Sequence, residues 1–272
     1  MPLFRSNVLG TRHLLDLADQ APTAQLVHVS TAYVAGRRLT GHVLEDDLRE
    51  DDGFHLAYEE TKYTAETMVH AWARGTRRPV AVMRPSLLVT DRPVPDGLPG
   101  QPLESLSHVV EAGARSMTVR DKGRALLLAR RQGRGDTLRL QAALDPGGAL
   151  NLLQADYAAK AMVRAAQALR DTPSLRTLHV THPQNTAMAT AARALERRYP
   201  GVTLVPVPEL TDPTPAEALI GEQTRFLDYL AQRRSYDRTN LLQAVGDLAD
   251  PEPVDEDYLL RALQPPDAVT PC

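Results

Sequence analysis

What most constrains this chain is an alternation: helical and strand-like runs follow one another from the first residues, joined by short connections. Pro2 to Asp19 reads as a helix, with Leu9, Leu14, Leu15, Leu17 and Ala18 near helical spacing and Pro2 suited to a first turn. Leu26-Val27-His28-Val29-Ser30 is short, apolar and partly β-branched, which reads as a buried strand. Glu59 to Arg74 reads as a second helix, and Val80-Ala81-Val82-Met83-Arg84, closed by Pro85, as a second strand. Parallel strands need crossover connections and helices supply them, so this order predicts a parallel sheet flanked by helices.

The texture changes after Thr90. Pro93, Pro95, Pro99 and Pro102, with Gly97 and Gly100, read as a stiff loop. Arg115 to Arg139 holds eight basic residues against Asp121 and Asp136, an arginine-rich solvated surface or a seat for the phosphates of a coenzyme A or phosphopantetheine thioester. Regular pattern returns at Ala155 to Leu169 (helix), Thr177 to Thr181 (strand), Thr186 to Arg198 (helix) and Val202 to Val205 (strand). Pro206 to Pro215 is again proline-rich, two helical stretches follow near Ala216 to Arg233 and Thr239 to Leu248, and a frayed tail is expected from Pro265. The leucine-rich run Ala125 to Ala129 and Phe226, Leu227 and Leu230 suit core packing or an acyl channel.

Composition narrows the classes. A hydrophobic share of 43% with 24% charged residues is ordinary globular usage and excludes disorder. A formal charge of -3 argues against a dedicated nucleic-acid binder. Cys272, the one cysteine, is the last residue, so no intrachain disulfide or cysteine metal cluster is expected. No apolar run approaches the length of a membrane span and no basic-then-apolar leader is present, so a cytoplasmic location is expected. Glu45-Asp46-Asp47 and Glu50-Asp51-Asp52 read as a solvated acidic loop, and His179 with His182 lacks a third ligand, so no metal is assigned.

One constellation carries chemistry. Tyr58 and Lys62 are four residues apart at a helix start and share one face. A free phenol, with a pKa of ~10, exchanges protons poorly at neutral pH; a nearby ammonium favours the phenolate and lowers that value. Ser30 and Thr31 offer hydroxyls at the C-terminal end of the preceding strand, where open α/β sheets bind ligands.

Asn7-Val8-Leu9-Gly10-Thr11, Val29-Ser30-Thr31-Ala32-Tyr33-Val34, Tyr58-x-x-x-Lys62 and Arg84-Pro85-Ser86, in that order, resemble the extended short-chain dehydrogenases. Phe54-His55, Asn151 to Tyr157 and Leu178-His179-Val180-Thr181-His182-Pro183 are similar to their fatty acyl-CoA reductase and thioester reductase branch. The resemblance implies a Rossmann-type doubly wound parallel sheet with a mostly helical substrate lobe, and NADP or NAD as cofactor. It implies Tyr58 as the general acid, Lys62 as its partner on the nicotinamide ribose, and Thr31 as holder of the substrate oxygen, with Ser30 the alternative. Asn7 would line the cofactor or a relay water, or cap a helix turn; Pro85 and Ser86 would border the nicotinamide, or Pro85 would only end the strand.

The family's opening strand and glycine-rich turn find no counterpart. Gly133 and Gly135 are spaced for that motif, but Leu138 stands where its third glycine belongs. Residues 1–183 are therefore expected to be a partial NAD(P)-binding domain with a loop-rich insertion near 91–150, and 184–272 a substrate lobe and tail. Weak cofactor binding and an unprotected sheet edge at Leu26 to Ser30 follow as expectations. A misplaced start, a split gene with a separate polypeptide supplying the N-terminal half, and a real loss each fit. The expected function is reduction of an acyl thioester or aldehyde; a nucleotide-sugar epimerase or dehydratase and a non-enzymatic binding remnant are the alternatives.

Overall fold

The computed structural model describes residues 2–93, 101, 103, 107, 138–143, 145–207, 209–214, 217–218 and 232–263. Two compact units emerge: Met1–Leu88 with Asn151–Gln184 and Arg234–Glu252, and Val89–Leu150 with Asn185–Arg233 and Pro253–Cys272.

The chain opens with a π-helical turn, Phe4–Leu9, that runs directly into α1 (Gly10–Asp19), so the helix expected over Pro2 to Asp19 has a widened first turn. Next come β1 (Leu26–Val29), a 3-10 turn (Ala32–Ala35), β2 (His42–Val43), α2 (Ala57–Thr76), β3 (Val80–Pro85) and β4 (Leu87–Val89). Beyond them lie β5 (Leu138–Ala143), β6 (Ala149–Leu150), β7 (Leu152–Gln154), α3 (Ala155–Ala168), β8 (Leu175–Val180) and β9 (Thr186–Ala187). The last described elements are α4 (Met188–Arg198), β10 (Val202–Val207), β11 (Ser235–Tyr236), α5 (Thr239–Val245) and α6 (Glu256–Ala262).

The first unit holds a parallel sheet in the order β1-β3-β8, with Leu26 opposite Val80 and Val80 opposite Leu175. All six residues of β3 are buried, which is why its sequence is a nearly unbroken apolar run rather than an alternation. Successive side chains of β3 serve opposite layers. Val80 and Val82 join Leu26, Leu15 of α1 and Val69 and Ala73 of α2. Ala81 and Met83 join Ala158, Ala161 and Ala165 of α3, together with Leu241 and Val245 of α5. Alanines at helical spacing leave room for α3 to lie close against the sheet. Helices cover both faces, so this is a doubly wound α/β fold, as expected from the sequence.

Behind β8, the Asn151 side chain binds the His182 backbone in both directions at 2.9 Å, acting as a surrogate peptide group. Residues 234–252, read from the sequence as part of the lobe, supply α5 to this first unit. In the second unit β5 and β10 pair in parallel, β6 and β9 pair antiparallel, and Arg193 and Arg197 of α4 bind Glu256 of α6. Thr186 and Ala187 pair with β6 before the helix begins at Met188, two residues later than its periodicity suggests.

The acidic loop needs a correction. Glu45 is 1% exposed, not solvated, and accepts hydrogen bonds from the backbone N–H groups of His179 (2.9 Å), Asn240 (2.5 Å) and Leu241 (3.1 Å). It thereby satisfies otherwise orphaned donors at the start of α5, a role that no charge count could show. Most of the proline-rich loop after Pro93, of the basic stretch Arg115 to Arg139 and of the helical stretch near Ala216 to Arg233 lies outside the described residues, as do Ala125 to Ala129 and the tail from Pro265.

Candidate active site

α2 begins where Glu59 turns its carboxylate back onto the N–H groups of His55 (2.7 Å) and Leu56 (3.3 Å), so the helix starts one residue before Tyr58. From that start Tyr58, Lys62 and Glu66 fall on successive turns of one face. Facing them is the C-terminal end of β1, where the chain leaves the sheet at Ser30 and Thr31. Gly36 fixes the loop that follows: its φ is +58° and a Cβ would lie 2.1 Å from the Gly53 carbonyl oxygen. Arg234, 1% exposed, braces the same loop by donating to the carbonyls of Gly36 (2.7 Å) and Arg38 (3.0 Å).

The structure brings the sequence-predicted residues together around that strand end. The Thr31 hydroxyl lies beside the Tyr58 phenol and acts to lower its pKa, and Thr31 Oγ1 also reaches the Pro85 carbonyl at 3.4 Å, linking the ends of β1 and β3. Lys62 Nζ donates to Val29 O at 2.9 Å. Asn7 donates to Thr61 Oγ1 at 3.0 Å, and Thr61 in turn donates to Tyr58 O at 3.0 Å, so Asn7 braces the first turn of α2. Ser86 Oγ is buried and has no hydrogen-bond partner among the described residues. Ser30 turns elsewhere: its hydroxyl donates to Glu66 Oε2 at 2.5 Å.

The electrostatics differ from the expectation in one respect. Burial pushes the Tyr58 phenol above its ordinary value, with the Thr31 hydroxyl pulling the other way. The lowering expected from Lys62 is not what acts on it. Burial likewise holds Lys62 below the usual lysine value, opposed by the Glu66 carboxylate.

Glu66 and Arg84 are what sequence reasoning missed. Glu66 is fully buried and Arg84 is its partner, with Arg84 Nη2 2.7 Å and Nε 3.0 Å from Glu66 Oε1. Arg84 continues to Glu45 O at 3.2 Å and to His179 Nε2 at 3.3 Å. A usable signal was present: Glu66 repeats the four-residue step from Tyr58 to Lys62 between the apolar Ala65 and Val69.

This network sets a pH response. Burial lowers His28 to about 4 and His179 to about 3, against an ordinary 6.5. Between those values the unfolded chain binds more protons, so both histidines contribute stability above pH 6.5 that is lost as the pH falls. Glu45, raised by burial to about 7 from 4.5, acts oppositely over that span. Two groups outweigh one, so the urea midpoint should fall between pH 7 and pH 5, and His28→Leu should flatten that fall. An unchanged slope in folded His28→Leu would remove His28 from this account.

The layered α/β fold and the Tyr58–Lys62 pair at its strand ends define an extended short-chain dehydrogenase/reductase. Within that class the chain belongs to the NAD-binding male sterility protein family, whose model matches residues 2–162. Among solved structures it is similar to the terminal R domain of the myxalamid PKS-NRPS biosynthetic pathway, at 21% identity and a TM-score of 0.64, over 95% of this chain and 62% of that one. A thiolation-reductase di-domain from an archaeal non-ribosomal peptide synthetase is similar at 18% identity and a TM-score of 0.61, over 95% and 52% of the two chains. UDP-glucose-4-epimerase from Stenotrophomonas maltophila, with bound NAD and formylated UDP-arabinopyranose, is similar at 20% identity and a TM-score of 0.60, over 96% and 68%. Such identities show the fold alone, and the chain spans about 62% of the length of the myxalamid R domain. No curated protein matches it. Among the described residues no helix is long and apolar enough to cross a membrane.

Proposed function

We propose that this chain carries the proton-handling half of an NAD(P)-dependent reductase that acts on an acyl thioester or an aldehyde. The observation that carries the reading is the meeting of Tyr58 and Lys62, one helical turn apart on α2, with the C-terminal end of β1, where Lys62 Nζ donates to Val29 O at 2.9 Å and the Thr31 hydroxyl acts on the Tyr58 phenol. The residues present fit the nicotinamide ribose end of a dinucleotide. Lys62 spends one of its three donors on Val29 O and keeps the others, and Ser86 offers a buried hydroxyl without a partner among the described residues. Asn7 reaches this end through Thr61 and Tyr58, and Pro85 and Ser86 border it. When bound, the cofactor supplies the hydride that adds to the carbonyl carbon.

The chain's own work is the proton. Thr31 holds the carbonyl oxygen, and Tyr58 gives that oxygen the proton from its hydroxyl. A phenol held above its ordinary value stays protonated at neutral pH, which suits it as an acid in the reductive direction. The pyrophosphate end of the dinucleotide calls for a glycine-rich strand-turn-helix, whose helix N-terminus receives the anion.

Substrate class rests on what could stack a nucleotide base. Aromatic residues are 4% of the chain. Beyond Pro183, Tyr199, Tyr236 and Tyr258 each already carry a guanidinium over the ring, from Arg198 at 5.1 Å, Arg234 at 5.4 Å and Arg261 at 5.5 Å. Aliphatic side chains dominate the same sequence, which favours an acyl chain. The protein purified from its native host should consume NADPH or NADH with a fatty acyl-CoA or fatty aldehyde and leave UDP-sugars unchanged. Because the epimerase is as similar in fold as the reductases, product analysis for redox-neutral epimerisation belongs in the assay. Conversion of a UDP-sugar without response to any acyl substrate would move the reading to an epimerase, and silence in both arms would favour a binding remnant.

A further inference from the structure

We propose that Glu66 is a positioning residue of the Tyr58–Lys62 site: its carboxylate anchors the Ser30 end of β1 and supplies the buried negative charge opposite the Lys62 ammonium. The inference rests on the reductase reading for what the site is for, but not for its geometry.

Three elements meet at this one carboxylate. From β1, Ser30 Oγ donates to Oε2 at 2.5 Å. From β3, Arg84 donates from Nη2 at 2.7 Å and from Nε at 3.0 Å to Oε1. From α2 itself, His70 Nε2 lies 3.3 Å from Oε1, and Lys62 sits one turn before. Other titratable groups facing the cluster are His28 on β1 and, past Arg84, His179 on β8 and Glu45. His28 and His179 are held neutral by burial, so Glu66 is the anion set against both Lys62 and Arg84.

Net stability is a poor reason for such an arrangement. Taking a carboxylate and a guanidinium out of water costs about what their attraction returns, and an apolar pair of similar volume often does as well. What an apolar pair cannot do is hold a hydroxyl and oppose an ammonium. Ser30 immediately precedes Thr31, so fixing Ser30 fixes the residue whose hydroxyl lies beside the Tyr58 phenol. Lys62 is drawn toward its neutral form by burial, and the nearby carboxylate opposes that tendency. A lysine that lost its proton would lose the charge and one of the donors with which it meets a ligand.

The chain has three lysines, Lys62, Lys122 and Lys160, so protein labelled with carbon-13 at lysine Cε gives three titrating NMR signals, and Lys62→Arg identifies the one from Lys62. In Glu66→Gln, which keeps size and hydrogen-bonding capacity, the Lys62 midpoint should move to lower pH while the other two stay. Glu66→Asp keeps the charge but draws it back by one methylene, so its Lys62 midpoint should fall between those of the unaltered chain and Glu66→Gln, and it carries the test should the glutamine variant not fold. Ser30→Ala removes the hydroxyl and leaves the carboxylate, so the midpoint should remain in place. An unmoved Lys62 in folded Glu66→Gln overturns the proposal, and so does a Ser30→Ala shift as large as that of Glu66→Gln. Turnover does not enter this measurement. A protein inactive on every acyl substrate would end the reductase reading without touching the Glu66 result, and an unmoved Lys62 in an active reductase would do the reverse.

Discussion

Arg84→Ala should lower folding stability by about 3–5 kcal/mol, read as a drop in the urea midpoint at unchanged denaturant slope. The loss comes from what remains behind. Glu66, fully buried, would keep Ser30 and its contact with His70 but lose all three guanidinium bonds, leaving a charge without its counter-ion. Glu45 O and His179 Nε2 would lose their neighbour as well. The pairing also has its own pH signature. Arg84, Ser30 and His70 together hold the Glu66 carboxyl at about 2, below the ordinary 4.5, despite burial acting the other way. The pair's contribution is therefore complete above pH 4.5 and lost as the pH falls toward 2. A double change of Arg84→Met with Glu66→Leu removes both charges together and should recover most of the stability. If Arg84→Ala cost less than about 1 kcal/mol, the pair would be no more than a surface ion pair in energy, and the buried network would need another description.

Tyr58→Phe should reduce turnover at least ~100-fold, the lower range for losing a general acid, while dinucleotide affinity barely changes. The ring remains and only the hydroxyl is removed. Comparing kcat with the cofactor dissociation constant separates the two effects. Near-full turnover in Tyr58→Phe would remove this tyrosine from the chemistry, and with it the role given to Thr31.

Periodicity made the frame of the first unit legible. β1 and β3 announced themselves because both are short apolar runs, and α2 because its buried stripe repeats at helical spacing. Tyr58 and Lys62 were legible for the same reason, since a four-residue step needs only a helix to become a shared face. Glu45 was not. Its three donors lie at His179, Asn240 and Leu241, more than a hundred residues downstream, and nothing local distinguishes it from the solvated Asp46. The Glu66–Arg84 pair was hidden differently: each residue looks ordinary on its own element, and only packing α2 against β3 makes them partners. The placement of α5 beside β8 was hidden too, because residues 234–252 return to the first unit after a long excursion.

The Lys62–Val29 hydrogen bond has a consequence for how the end of β1 is held. Ser30 N reaches Met83 O and Leu26 N reaches Pro79 O, so the even-numbered residues of β1 bond to β3. By alternation, the backbone groups of Val27 and Val29 point along the opposite edge, where both side chains are exposed. Lys62 reaches the last of these carbonyls from a neighbouring helix and occupies it with a charged group. The side chain thereby does for the end of β1 what a further strand would do with its backbone, so replacing Lys62 would free a main-chain acceptor as well as remove a charge.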